Sequence, residues 1–68
     1  MRPQKFKIVD SLGTVYGFVQ NMVEAWSLLQ YTEYNGSSRY RYVANTDFEL
    51  TLQDRMFSKR VVFKLIEV

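Results

Sequence analysis

The sequence predicts an α+β fold: a two-layer sandwich of order β-β-α-β-β-β, with one helix packed on one face of a four- to five-stranded antiparallel sheet. Three observations predict it. Several segments alternate polar and apolar residues with the two-residue period of a half-buried strand. One segment, opening at Asn21, repeats its apolar residues with helical period. The chain has 68 residues and no cysteine, so residues 1–68 read as one small domain around one unstapled core.

Residues 5–9 (Lys-Phe-Lys-Ile-Val) alternate as a first strand, and residues 15–19 form a second, rich in β-formers. Between them, Ser11-Leu12-Gly13 reads as a three-residue connection with Gly13 at the position that wants positive φ. Asp10 then faces Thr14, Ile8 faces Tyr16 and Phe6 faces Phe18, which puts the four large apolar side chains on one face. The other parity, with Ile8 beside Gly17 and Lys7 beside Phe18, is the poorer arrangement.

Asn21 caps the helix and Glu24 stands three residues later, as in a capping box. The helix is expected to run to Glu33 or Tyr34 and to stop at Asn35-Gly36. Met22, Ala25, Trp26, Leu28 and Leu29 face inward. Val23, Tyr31 and Tyr34 lie on its exterior.

Residues 39–44 alternate again, with Arg39, Arg41 and Val43 on one side and Tyr40, Tyr42 and Ala44 on the other. A three-residue turn over Asn45, Thr46 and Asp47 pairs Tyr40 with Leu52, Tyr42 with Leu50 and Ala44 with Phe48. The last strand, residues 59–68, points Val61, Phe63 and Leu65 inward. Pairing Leu52 with Val61 leaves Arg55-Met56-Phe57-Ser58 as a four-residue tip, with Asp54 opposite Lys59. Numbering these five strands in order, the sheet is 2-1-3-4-5 or 2-1-5-4-3, and the pattern does not choose between them.

Composition narrows the function. Without histidine or cysteine there is no neutral-pH imidazole base, no thiol nucleophile, no Ser–His pair and no thiolate or imidazole metal site. The three glycines fit no phosphate-binding spacing. Asp47, Glu49 and Asp54 read as turn and surface groups. The expectation is a protein that is not an enzyme, with no catalytic, cofactor-binding or metal-binding residue and no cofactor. No stretch approaches the roughly 20 apolar residues of a membrane span, and the cationic start of the chain has no apolar run behind it. The reading is cytoplasmic, with no membrane partner.

A single helix leaves the other sheet face open. The alternation assigns that face Lys5, Lys7, Arg39, Arg41, Arg60 and Lys64, with Glu49 its only acid. Val9, Val15, Val19, Val43, Val62 and Ile66 lie between them. A chain of net charge +2 is thereby polarised, and such a face steers acidic partners. The plain alternative is that these cations only keep the face solvated. The face carries no aromatic ring on which a base could stack. Met56 and Phe57 at the hairpin tip, and Tyr31 and Tyr34 on the helix exterior, are further candidate contacts. The tip pair equally suits capping the core, and the tyrosines folding onto the sheet edge. Together these residues describe a binding module that docks onto an acidic protein or a protein–nucleic-acid complex, as an occluding inhibitor would. Direct contact with the phosphates of double-stranded nucleic acid is one alternative. A homodimer through a free edge strand is another.

Overall fold

The computed structural model describes residues 5–68, and the cationic start of the chain, residues 1–4, lies outside the described residues. The elements are β1 (Phe6–Val9), β2 (Val15–Val19), α1 (Met22–Gln30), β3 (Glu33–Tyr34), β4 (Ser37–Ser38), β5 (Tyr40–Asn45), β6 (Glu49–Asp54) and β7 (Lys59–Glu67). The α+β architecture is as the sequence predicts, with α1 on one face of a five-stranded antiparallel sheet of order β2-β1-β7-β6-β5. The longest strand, β7, is central and joins the first hairpin to the last. The core holds Ile8, Val19, Ala25, Leu29, Tyr40, Leu50, Leu52, Phe63 and Leu65.

The β6–β7 hairpin has the expected register, with Leu52 opposite Val61 and Asp54 opposite Lys59. The other two main hairpins depart from the alternation, because each contains a bulge. At the β1–β2 turn, the Asp10 N–H donates to the Thr14 carbonyl and Gly13 has φ +85°, as a three-residue connection requires. Val9 then faces Val15, but Tyr16 is an extra residue, and beyond it Ile8 faces Gly17, Lys7 faces Phe18 and Phe6 faces Val19. This is the parity the sequence disfavoured. A Cβ on Gly17 would stand 2.6 Å from Leu28 Cδ2, so the glycine is where the helix comes closest to the sheet. The slip moves Val19 from the open face into the core, and turns Phe18 out.

In the β5–β6 hairpin, Tyr40 faces Asp54 and Tyr42 faces Leu52, two residues from the expected pairing and so on the expected face. A bulge at Val43 then places Ala44 opposite Thr51. The Thr46 hydroxyl oxygen accepts the N–H groups of Phe48 and Glu49 and closes the turn one residue later than expected.

The helix starts as predicted. Asn21 Oδ1 accepts the Glu24 N–H at 2.9 Å. It ends earlier, at Gln30 with Tyr31 as C-cap. Asn35 and Gly36 both take positive φ, 52° and 80°, and close the small β3–β4 hairpin. Asn-Gly is the strongest two-residue hairpin signal, because both positions of a type I′ turn lie in the left-handed region. Tyr34 therefore belongs to a strand rather than to the helix exterior.

Candidate functional site

Across the strands from β2 to β5, the register builds the open face in rows. Phe18, Lys7 and Ile66 form one, and Val15, Val9, Lys64 and Glu49 the next. Val62, Thr51 and Ala44 follow, then Arg60, Gln53 and Arg41. Lys5 precedes β1 and shares the parity of Lys7. Five of the six expected cations thus keep the parity of this face. The Glu49 carboxylate lies 4.0 Å from the Lys64 ammonium, with both groups half exposed, a geometry that contributes little in water. Phe18 is 55% exposed, and Val62 and Ile66 are each 40% exposed. The open face therefore does carry an aromatic ring, contrary to the expectation, because the Tyr16 bulge reverses β2.

Arg39 is the correction among the cations. It sits at the bend between β4 and β5, where strand alternation does not govern its side chain. The chain turns it to the helix side, where its Nε and Nη2 donate to Asp54 Oδ1 and Oδ2 at 3.1 and 2.8 Å. Asp54, expected on the surface, is 2% exposed. Its Oδ1 also accepts the N–H groups of Met56 and Phe57. The Arg39 guanidinium, together with these backbone donors, holds the Asp54 carboxyl below its ordinary range, against the opposing effect of burial. The same pairing raises Arg39 further.

Phe57 lies beside this pair, with its ring 5.2 Å from the Arg39 guanidinium carbon and 5.9 Å from the Lys59 ammonium. Both distances allow cation–π attraction. Met56, at the same tip, is 48% exposed. Both tip residues are thus exposed, Phe57 at 59% even though it stands beside two cations. Arg55 ties the tip to the small hairpin through Nη1, which donates to the Ser38 carbonyl at 2.7 Å, and its guanidinium stands 5.9 Å from the Tyr34 ring. Tyr34 is accordingly a packing residue, while Tyr31 is 80% exposed.

Arg39, Phe57 and Arg60 meet around a cleft that the sequence did not reveal. It has a volume of about 450 Å³ and lies where the helix-side face runs beyond the short helix, between the β1–β2 turn and β7. Its aromatic wall is Tyr16, Phe63 and Tyr40, with edge-on ring pairs at 5.1 and 5.5 Å. Burial, reinforced by the hydrogen bond from its hydroxyl to Asp10 Oδ2 at 2.9 Å, pushes the Tyr16 phenol up to about 12. Burial alone would raise Asp10, but donors from Thr14, Tyr16 and Leu12 outweigh it and hold the carboxyl low. Burial also raises the Tyr40 phenol. Tyr16 escapes sequence reasoning because nothing in the pattern marks a bulge. A weak signal for Asp54 did exist, since an Asp at a strand end before a tight tip is placed to accept the tip's N–H groups.

Among the described residues no group of three or more acidic side chains is placed to hold a metal ion, and no helix is long and apolar enough to cross a membrane. No protein-family model, no curated protein and no solved structure matches the chain.

Proposed function

We propose that the chain is a non-enzymatic, cytoplasmic binding module that docks its open sheet face onto an acidic protein surface and acts by covering it. The observation that carries this reading is the mixture on that face. Lys5, Lys7, Arg41, Arg60 and Lys64 stand against Glu49 alone, and Phe18, Val62 and Ile66 are exposed among them. Cations steer and orient an acidic partner, while the apolar side chains gain free energy only if something covers them. A phosphate backbone would use the first property and not the second, which favours protein over duplex nucleic acid. Met56 at the tip extends the contact at the rim.

The test places a photo-crosslinker at Val62 on the open face or at Val23 on the outer side of the helix. The expected result is capture of an acidic protein from the Val62 position only, lost in Arg41→Glu/Arg60→Glu with the thermal melt unchanged. Equal capture from both positions, or capture indifferent to the reversed charges, overturns the reading. A short DNA duplex shifted at ~50 mM salt and released by ~200 mM salt replaces it with phosphate binding. Light scattering that shows a dimer at working concentration replaces it with self-association.

A further inference from the structure

The cleft is also a break in the sheet. The β1–β7 ladder runs from Phe6 opposite Glu67 to Val9 opposite Lys64 and stops, because the chain turns away at Asp10. The β6–β7 ladder continues to Asp54 opposite Lys59. Residues 59–63 of β7 therefore have a strand on one side only.

Two hydrogen bonds set the direction of the backbone groups on β7. The Leu65 N–H donates to the Phe48 carbonyl, toward β6, and the Val68 N–H donates to the Lys5 carbonyl, toward β1. These directions alternate along a strand. The odd positions 61 and 63 thus address β6, and Arg60 and Val62 address the β1 side. Both residues line the cleft. Among the described residues, no hydrogen bond reaches the N–H or C=O of Arg60 or Val62 on that side.

We propose that this interrupted edge takes up an extended acidic peptide segment of a protein partner as an added strand, antiparallel to β7 and in line with β1. Main-chain bonds to Arg60 and Val62 would supply the pairing, as in strand addition at other exposed edges. The site lies on β7's free edge and does not depend on the open-face reading.

The register and the unspent hydrogen-bonding groups define the segment. Ile8 opposite Leu65 faces the helix side, and Asp10, next after Val9 opposite Lys64, takes the place beside Phe63. A strand continuing that line beyond Asp10 turns alternate residues toward Val61, then Lys59. The first place is apolar, in the cleft shared with Tyr16, Tyr40 and Phe63. The second calls for an acid. Both cleft carboxylates are already filled, Asp10 by three donors and Asp54 by four. The groups still unspent are donors. Among the described residues the Lys59 ammonium has no carboxylate partner, and the Arg39 Nη1 donors and the Tyr40 hydroxyl, which solvent reaches, make no hydrogen bond. Read along the direction of β1, the segment is apolar-x-acidic.

The test is an NMR titration with a synthetic peptide of alternating valine and threonine closed by glutamate. The expected result is shifted and exchange-protected amides at Arg60 and Val62. Affinity should fall at least tenfold in Lys59→Gln, with glutamine replacing the peptide's glutamate, and with the peptide N-methylated at the amides that face β7. Val62→Pro, which removes that unpaired N–H together with the valine side chain, should abolish binding if the variant keeps its fold. Shifts confined to the open face, or affinity indifferent to N-methylation, overturn the proposal. Protection of the same amides that grows with protein concentration and no peptide also overturns it, by giving the edge to a second copy.

Discussion

Arg39 and Asp54 stand fifteen residues apart in sequence and meet in a two-pronged ion pair, Nε to Oδ1 at 3.1 Å and Nη2 to Oδ2 at 2.8 Å. The Asp54 side chain is 2% exposed, whereas the Arg39 side chain keeps 24% of its surface in water. The pair closes the end of the sheet that the helix does not reach, joining the start of β5 to the β6–β7 tip. Four donors converge on Asp54, so its charge is buried without an unsatisfied oxygen.

Removing either partner leaves the other without its counter-charge. Asp54→Ala and Arg39→Ala should each destabilise the fold by about 2–4 kcal/mol, below the usual range for a fully buried pair because Arg39 remains partly solvated. In urea denaturation, the double variant should cost less than the two singles together, by about 1 kcal/mol or more. Strict additivity would show that the pair is not coupled.

The lowered Asp54 carboxyl predicts the acid limb of stability. A group whose folded pKa lies below its unfolded value, here 3.8, contributes fully above that value and loses its contribution as pH falls through the folded pKa. Asp10 shifts the same way but is solvated and contributes less. The urea midpoint should therefore change little from neutral pH down to about pH 5 and drop below about pH 4. Asp54→Asn should flatten that drop.

At the alkaline end the sign reverses. Tyr16 is raised from 10.0 to about 12, so its contribution is complete below pH 10 and is lost as pH rises toward 12. Ultraviolet titration should show a tyrosinate step displaced above pH 10, to which Tyr40, also raised by burial, adds its share. Tyr16→Phe should remove the Tyr16 part of that step and leave the Tyr40 part, and Asp10→Asn should move the Tyr16 part down, because the carboxylate that holds the phenolic proton is gone.

Gly17 is a packing glycine. Its missing Cβ leaves room for Leu28 Cδ2 at 2.6 Å. Gly17→Ala should cost about 1 kcal/mol, since Leu28 is partly exposed and can rotate aside, and Gly17→Val should cost about 2–3 kcal/mol. In a Leu28→Ala background, thermal melts should show the Gly17→Ala penalty gone. A penalty that persists there would place the constraint in the backbone.

Gly36 is constrained by conformation instead. It has φ +80° and open space around it, so Gly36→Ala should cost about 1–2 kcal/mol through left-handed strain alone. Calorimetry on Gly36→Ala beside Gly36→Asn checks this, since asparagine tolerates that region better.

Much of this architecture is legible along the chain. The 11-to-13 turn, the Asn21 cap, the β6–β7 register and the inward set Leu50, Leu52, Phe63 and Leu65 follow from period and turn chemistry. Asn35-Gly36 was legible as a breaker, but its pattern suits a helix end and a two-residue hairpin alike. The candidate face was legible to the extent that Lys5, Lys7, Arg41, Arg60 and Lys64 keep their parity. Arg39 did not keep it, because a bend precedes β5 and Asp54 draws the guanidinium under the sheet.

By itself, then, the sequence determined the fold class, the element order and most of the core, because alternation, caps and turn residues act between near neighbours. The tertiary structure alone decided the strand order, the bulges at Tyr16 and Val43, the ion pair and the cleft with its free edge on β7. Each of these depends on groups far apart in the chain. An inserted residue reverses every side chain beyond it, and only the element packed above, as Leu28 is above Gly17, determines which parity is stable.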